Sequence, residues 1–425
     1  MANSTIDALE AAPVLSARAD LLTSTAAIRW QVLVLALPVL GEQVLNAGVG
    51  YVDTYLAGQI SKEATSAVGF ASYASWLVTN LFMLVGTGAT ALVSRHVGAR
   101  QPQTANRFAN QAVLMGVAFG LVGSAGLYAA APTLAWLQGF GGEALDIAIA
   151  YLRIDSSSYL LYSVLLAGAA ALRGAGDMKT TMWIMLGVNL VNIFVSAGLV
   201  FGWGVFPQVG TNGIAIGTVV GRMLGGLAMT AVLLRGRGPL RLKAAYLSPR
   251  WDDLKRLSWV GVPAAIDGAV LWVGHFLFLM IVNRIGEGSV QTANYAAHMV
   301  GVKVESFSFL PAQAWGAAAA TLVGQGMGAR RLEDSRRSGN EAARQVLVLM
   351  LIMGTIYFAF ASPLFAFFTE DVRVRALGVG PLRLLALFQP ALGVLIVYMF
   401  ALRGAGDTRF PLLYSFLSVW GVRLP

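Results

Sequence analysis

Two carboxylates, Glu42 and Asp53, stand eleven residues apart in an apolar stretch near the start of the chain. In an α-helix, a step of eleven residues is just over three full turns, so both side chains face nearly the same direction about 16 Å apart. A charge inside a membrane-spanning helix costs about 3 kcal/mol on insertion scales, so it requires a reason. A desolvated carboxylate can act as a proton carrier, and with neighbouring oxygens it can hold a hard cation such as sodium. These two residues alone leave both possibilities open.

Asp267 corresponds to Glu42 in the second half of the chain, because each lies four residues after a proline, Pro263 or Pro38. A proline inside a helix removes one backbone hydrogen bond and kinks the helix. A carboxylate just beyond such a kink can bind a cationic substrate or a proton. The alternative is that each carboxylate pairs locally within its own half.

Three more residues inside apolar stretches are candidates to line a substrate cavity: Asp155, His275 and Trp272. An imidazole can titrate near neutral pH, and an indole attracts cations through its face. The structural alternatives are a packed histidine and an interfacial tryptophan.

The elements that carry these residues are predicted to be membrane-spanning helices. The 425-residue chain is 57% hydrophobic and only 12% charged, about half the charged fraction of a soluble domain. Stretches of about 20 apolar residues, enough to span a bilayer, recur ten times, and an eleventh begins near Phe410. The ten lie near residues 30–57, 66–94, 108–131, 144–171, 180–201, 213–234, 260–283, 292–323, 342–362 and 381–402.

Most lysines and arginines lie in alternate loops, which predicts that these loops are cytoplasmic. Residues 1–28 lack the basic start and apolar core of a signal peptide, and we interpret them as a cytoplasmic N-terminal tail. The chain is therefore predicted to be a multi-pass protein of the cell inner (plasma) membrane. The basic loops account for the net charge of +9, which consequently does not indicate nucleic-acid binding. The loops in question are 95–107, 173–179, 235–256, 324–337 and 403–409.

An internal repeat divides the chain. Leu-Arg-Gly-Ala-Gly-Asp occurs at 172–177 and again at 402–407, and Gly-Ala-Arg at 98–100 recurs at the same offset at 328–330. An even number of helices per repeat means that both halves enter the membrane from the same side, which predicts a parallel repeat with a cavity between the halves.

The repeat predicts an all-α integral membrane fold of two six-helix bundles. The expected boundaries are an N-lobe at 29–234, a cytoplasmic linker at 235–257 and a C-lobe at 258–425. Because residue 425 corresponds to about Val195 of the first half, we expect a twelve-helix design whose last helix and a half are missing from this chain.

At the repeated motifs the sequence resembles the multidrug and toxic compound extrusion (MATE) family. The resemblance rests on Val52-Asp53-Thr54 in the first predicted span, on the two Leu-Arg-Gly-Ala-Gly-Asp motifs, and on 304–311 followed by Leu322-Val323-Gly324-Gln325. It covers the chain from about residue 30 to the end. It implies two six-helix lobes that form a V-shaped cavity, and cation-coupled efflux of organic compounds.

The resemblance also implies a cation site in the N-lobe, with Asp53 as its central carboxylate. Asn192 matches the family's asparagine and Thr218 its threonine, but Ser196 stands where a second aspartate is expected. This departure weakens a sodium site more than a proton site, so Asp53 would be a metal ligand only if the transporter is sodium-coupled. The carboxylates of a C-lobe sodium site are absent, since Leu271 and Leu392 occupy their positions.

The predicted function is a secondary antiporter that exports organic, cationic or amphipathic compounds in exchange for inward H⁺ or Na⁺ by alternating access of two lobes. The alternative is a lipid-linked oligosaccharide flippase of related architecture, which the mainly acidic intramembrane charges disfavour. Catalytic motifs such as His-Glu-x-x-His and Gly-x-Ser-x-Gly do not occur, so an enzyme is not expected. We expect no cofactor besides the coupling ion, and a monomer in the lipid bilayer.

Overall fold

The computed structural model describes residues 25–425, apart from the side chains of Thr25 and Leu77, so most of the predicted tail lies outside the described residues. The described residues form thirteen α-helices, a short 3₁₀ turn at Ala244–Tyr246 and a π-helical turn at Val419–Arg423. The helices are α1 (Thr25–Ile60), α2 (Lys62–Gly98), α3 (Pro102–Leu137), α4 (Gly142–Ser156), α5 (Tyr159–Gly174), α6 (Met178–Phe201), α7 (Thr211–Arg235), α8 (Trp251–Val282), α9 (Ser289–Gly328), α10 (Leu332–Ala359), α11 (Ala361–Phe368), α12 (Val372–Ala405) and α13 (Arg409–Ser418).

Eight of these helices are long and apolar enough to cross a membrane: α1, α2, α3, α6, α7, α8, α10 and α12. Their outward side chains are apolar, and Trp183, Leu190 and Phe194 of α6 are all more than half exposed. Such a surface is stable only against lipid, because water would have to solvate a continuous apolar face. The predicted all-α integral membrane fold is confirmed.

The predicted span 144–171 is two helices, α4 and α5, rather than one. Three consecutive serines mark the break, and each hydroxyl donates to a backbone carbonyl three residues earlier. Such local bonds compete with the helical hydrogen-bond ladder, a signal that the length of the apolar stretch conceals. The bonds are Ser156 to Arg153, Ser157 to Ile154 and Ser158 to Asp155, at 2.7–2.8 Å.

The described chain forms two compact units, which differ from the predicted lobes in two segments. The first unit comprises residues 41–262, so it includes the linker that we expected to be separate. The second comprises residues 263–425 together with the described residues up to Leu40, which the repeat had assigned to the N-lobe. In the second unit Arg29 Nε lies 3.3 Å from Glu341 Oε1, an ion pair that attaches the start of α1 to α10.

The linker belongs to the first unit because amide side chains of α3 bind its backbone. Three residues of α3, Asn106, Asn110 and Gln111, each accept a hydrogen bond from a backbone N–H of the linker through the side-chain oxygen. These bonds satisfy backbone groups that would otherwise lack a helical or strand partner. The donors are the backbone N–H groups of Arg241, Lys243 and Arg250, at 2.7–2.9 Å.

Small residues on α7 allow it to lie directly against α6 within the first unit. A Cβ added to Gly217 would lie 2.0 Å from the Ser196 hydroxyl oxygen, and one added to Gly221 would lie 2.8 Å from the Val188 carbonyl oxygen. Glycine at such crossings permits the close backbone approach found between membrane helices. The approach places Thr218 of α7 within hydrogen-bond distance of Asn192 on α6.

The repeated Leu-Arg-Gly-Ala-Gly-Asp motif ends one helix and begins the next in both units. Gly176 and Gly406 have φ values of 87° and 92°, a left-handed conformation that glycine adopts without a steric penalty. The following Asp177 accepts a hydrogen bond from the Thr180 N–H at 3.1 Å and so caps α6. In the second unit Asp407 accepts from the Arg409 N–H at 3.2 Å at the start of α13.

Candidate functional site

The arginine of each repeated motif binds a carboxylate of its own unit. In both cases this carboxylate lies four residues after a helix proline along the chain. Arg173 Nη1 lies 3.2 Å from Glu42 Oε1 in the first unit. In the second unit Arg403 Nη2 contacts Asp267 Oδ2, and the Asp267 side chain is completely buried. The structure therefore places both candidate substrate carboxylates in local ion pairs, the alternative that the sequence analysis left open.

A second type of ion pair lies in the interior of the first unit, between α4 and α7. Arg222 Nη1 donates to Asp155 Oδ1 at 2.6 Å. The other carboxylate oxygen of Asp155 accepts from the Ser75 hydroxyl at 2.6 Å and from the Tyr159 hydroxyl at 2.8 Å. Asp155 is only 1% exposed, and two hydroxyl donors together with a guanidinium bind and neutralise it.

The guanidinium of Arg222 is enclosed by aromatic rings as well as by its carboxylate partner. Its central carbon lies 4.5 Å from the ring centroid of Tyr162 and 5.6 Å from that of Tyr159. A cation above an aromatic face is attracted by the ring quadrupole, and more strongly where water is excluded. The arginine side chain is 17% exposed, so these contacts hold it inside the unit.

Asp53 on α1 belongs to the same interior region. Arg222 and Asp155 are the charges that act on its carboxylate, and the buried hydroxyl of Tyr151 lies beside both Asp53 and Thr218. The Oδ1 atom of Asp53 is buried and has no hydrogen-bond donor. A buried acceptor without a donor costs about 1–3 kcal/mol, so this oxygen marks a position where a proton or a cation would be stabilised.

Asn192 and Thr218 are hydrogen-bonded to each other across α6 and α7. The Asn192 Nδ2 group donates to Thr218 Oγ1 at 2.9 Å, which leaves the Asn192 Oδ1 atom buried and without a donor. The site therefore contains two buried oxygens without donors, one on Asp53 and one on Asn192.

Ser196 does not contribute an oxygen in the same way. Its hydroxyl donates to the Ile214 carbonyl at 3.4 Å, and the side chain is completely buried against Gly217 of α7. Because the two helices are so close here, a longer acidic side chain at 196 would require α7 to move. The close packing gives a physical reason for a small residue where the family resemblance leads us to expect an aspartate.

His275 and Trp272 lie in the second unit, apart from the Asp53 site. Their ring centroids are 5.9 Å apart, and the His275 ring lies 6.2 Å from that of His298 on α9. The three rings form an aromatic cluster between α8 and α9 rather than part of the carboxylate network.

The structure thus brings together Asp53, Asn192, Thr218 and Asp155 of the predicted residues, and adds Arg222. Sequence reasoning missed this arginine, although it was a charged residue in the middle of the predicted span 213–234, four positions after Thr218. The general rule that an intramembrane charge needs a partner, applied to Arg222, would have identified it.

A multi-pass helical protein with a parallel internal repeat and a buried, partly unsatisfied carboxylate has the architecture of a secondary transporter. The MatE family model matches the chain in two segments, 38–197 and 263–425, one in each half. The chain belongs to this family, whose members are transporters and not enzymes.

Two curated relatives extend over most of the chain. The Thermotoga maritima protein named "Probable multidrug resistance protein NorM" is 31% identical over 398 residues, which cover 94% of this chain and 84% of the relative. The Bacillus subtilis protein named "Uncharacterized transporter YisQ" is 23% identical over 389 residues, covering 91% and 84%.

Solved structures show the same fold. A structure titled "Outward-facing conformation of a multidrug resistance MATE family transporter of the MOP superfamily" has a TM-score of 0.87, with 19% identity, 95% of this chain covered and 88% of the other. "Crystal structure of MATE in the bent conformation" also has a TM-score of 0.87, with 18% identity and coverage of 95% and 87%.

Proposed function

We propose that the protein is a secondary antiporter that exports organic compounds, cationic or amphipathic in character, in exchange for protons moving inward. The substrate class is supported by the relatives from Thermotoga maritima and Neisseria meningitidis, both named probable multidrug resistance proteins. The coupling reaction is supported by the chemistry of the buried carboxylate in the first unit.

The observation that carries the proposal is the buried Oδ1 atom of Asp53, which has no hydrogen-bond donor. A proton bound to Asp53 removes a buried negative charge, and the new O–H group becomes a donor that can bind an acceptor oxygen in the cluster. Both effects stabilise the protonated form in an interior with a low dielectric constant. Asp53 is therefore the residue that we assign as the proton carrier.

One proton is sufficient to drive substantial export. It contributes about 2.3 kcal/mol per 100 mV of membrane potential and about 1.4 kcal/mol per pH unit. The sum of about 4 kcal/mol supports a concentration ratio of nearly a thousandfold for a neutral substrate. Coupling requires only that the proton and the substrate favour opposite conformations of an alternating-access cycle.

The test is transport by purified protein in liposomes, with ethidium as a fluorescent organic cation and with a pH gradient or a sodium gradient imposed separately. The wild-type protein is expected to move ethidium against its gradient when a pH gradient is imposed. Asp53→Asn cannot take up a proton, so gradient-driven transport should fall roughly tenfold or more.

Asp146→Asn is the matched control, because Asp146 is an exposed carboxylate on α4 and the change in charge is the same. This variant should transport like the wild type. Normal pH-driven export by Asp53→Asn at every pH would refute the role of Asp53, provided that the variant is inserted in the vesicles at the same density.

The structure does not favour the flippase alternative. Arg173, Arg222 and Arg403 each lie within ion-pair distance of a buried acidic partner. These guanidinium groups are already neutralised, so they do not form the cationic site that a pyrophosphate-linked lipid would require.

The location and topology complete the proposal. The transporter lies in the cell inner (plasma) membrane with its N-terminus in the cytoplasm, because the basic loops are retained on that side. It acts as a monomer, since one chain contains the whole of the Asp53 site.

A further inference from the structure

Arg222 is a permanent cation next to the proposed proton carrier. It lies in the middle of α7, which is otherwise apolar enough to span a membrane. Its side chain is 17% exposed and its partner Asp155 is 2% exposed. An arginine in such a position is retained only if its charge is compensated by the surrounding protein.

Both carboxylate oxygens of Asp155 are hydrogen-bonded within the protein. The carboxylate accepts from Arg222, Ser75 and Tyr159 at 2.6–2.8 Å. The Arg222 guanidinium also reaches the Ser158 hydroxyl at 3.3 Å. While Arg222 is in place, the negative charge of Asp155 is therefore compensated within the protein rather than by a coupling ion.

The cluster of Asp53, Asp155 and Arg222 contains one more carboxylate than it has cations. Asp53 and Asp155 contribute two negative charges and Arg222 one positive charge, while Tyr151 is the neutral titratable group beside Asp53. Because Asp155 and Arg222 neutralise each other, uptake of one positive charge at Asp53 makes the cluster neutral.

A proton and a sodium ion place different demands on this cluster. A proton needs one oxygen, and Asp53 Oδ1 provides it. A hard cation needs several oxygen ligands at once, and the buried oxygens without donors in this cluster are those of Asp53 and Asn192. A sodium ion would also have to approach the fixed positive charge of Arg222 in a medium of low dielectric constant.

We propose that Arg222 is a specificity-determining residue, which excludes sodium by holding Asp155 in an internal ion pair and so makes Asp53 a proton-only site. This inference rests on the proposed function, since it concerns the ion used by the same transport cycle. Removal of the guanidinium exposes a second carboxylate to the site, which then has two acidic side chains and the Asn192 oxygen for a sodium ion.

The test compares wild type, Arg222→Gln and the double variant Arg222→Gln/Asp155→Asn in liposomes, with ethidium as substrate. Each protein is given an inward sodium gradient at symmetric pH or a pH gradient without sodium. The wild type should respond to the pH gradient alone, and the double variant should lack any sodium response. Arg222→Gln should respond to the sodium gradient as well, and sodium should raise its melting temperature in detergent, because an ion that binds only the folded protein stabilises it.

Each outcome is decisive for one of the two claims. A sodium response by the wild type, or its absence from Arg222→Gln while pH-driven transport persists, overturns the role of Arg222. If the wild type responds to neither gradient, the proposed antiport itself is wrong, whereas sodium-induced stabilisation of Arg222→Gln would still support the ion selectivity of the cluster.

Asp155→Asn keeps the inference testable if Arg222→Gln does not fold. In this variant the guanidinium loses its partner and compensates Asp53 instead, which makes proton uptake harder. The pH of half-maximal efflux should then fall by about 1–3 units, a shift that mere loosening of the packing would not produce. An unchanged pH profile would overturn the proposal.

Discussion

The ion pair between Arg403 and Asp267 allows a sharp prediction about stability. Arg403→Met removes the guanidinium and keeps a long apolar side chain of similar shape. Asp267 is completely buried, and its second oxygen, Oδ1, has no hydrogen-bond partner even in the intact protein. Among the described residues, Arg403 supplies the hydrogen bond and the ion pair to this carboxylate, so the variant leaves an isolated negative charge in the second unit.

An upper limit can be set on the loss of unfolding free energy in Arg403→Met. Breaking a buried ion pair on one side costs about 3–5 kcal/mol. The loss cannot greatly exceed the cost of protonating the carboxylate, which for an ordinary aspartate at pH 7 is about 4 kcal/mol. At pH 5.5 the same protonation costs about 2 kcal/mol. We therefore expect Arg403→Met to lower the free energy of unfolding by about 3–4 kcal/mol at pH 7 and by about 2 kcal/mol at pH 5.5.

The assay is chemical unfolding in mixed micelles at the two pH values, for the wild type, Arg403→Met and Arg403→Met/Asp267→Asn. The double variant should recover much of the loss, because no charge remains to be buried. The equivalent Arg173→Met should cost less, since the Arg173–Glu42 pair is more exposed, at 21% and 7% against 11% and 0%. A loss that is the same at both pH values, or a double variant as unstable as the single one, would refute this reasoning.

Two further predictions concern the first unit. A Cβ on Gly261 would lie 2.1 Å from the Leu84 carbonyl oxygen, so Gly261→Ala should lower the free energy of unfolding by about 1–3 kcal/mol through overpacking. The control is Gly187→Ala, where nothing lies within 4 Å of the added Cβ, and this variant should be neutral or stabilising. Equal thermal stability of the two variants would contradict the close approach of α2 and α8. Burial tends to raise the pKa of Asp177, but hydrogen bonds from Arg237 and Thr180 outweigh it and hold that pKa below its usual value. The stabilisation that ionised Asp177 provides is therefore fully present above the ordinary aspartate pKa and is lost as the pH falls through the lowered pKa. Asp177→Ala should lower the free energy of unfolding by about 0.5–2 kcal/mol at neutral pH, and this difference from wild type should shrink in acid. Thermal unfolding at several pH values checks the prediction, which a constant difference would contradict.

The architecture could be predicted because it depends on features that a sequence displays directly. Apolar stretches of spanning length gave the helices, and the two Leu-Arg-Gly-Ala-Gly-Asp motifs gave the repeat. The break between α4 and α5 was missed, since apolar length does not register the three hydroxyls at Ser156–Ser158 that bind nearby carbonyls. The sequence does not indicate that the linker packs with the first unit, because the amide side chains of α3 that bind it lie more than 100 residues away along the chain.

The candidate site was only partly predictable. Asp53, Asn192 and Thr218 were found because the family resemblance gave them roles, and the structure places them in one interior region. The pairing of Asp155 with Arg222 joins residues 67 positions apart, and no local pattern in the sequence indicates it. The partners of Glu42 and Asp267 are similarly distant, at 131 and 136 positions, so the choice between substrate binding and local pairing required coordinates.

The most direct test of the account is a count of the protons exchanged when substrate binds. Tetraphenylphosphonium is added to purified protein in weakly buffered detergent solution, and the released protons are measured with a pH indicator. The account predicts that the wild type releases a single proton per protein molecule and that Asp53→Asn releases none. Equal proton release by the two proteins would contradict the claim that Asp53 carries the coupling proton.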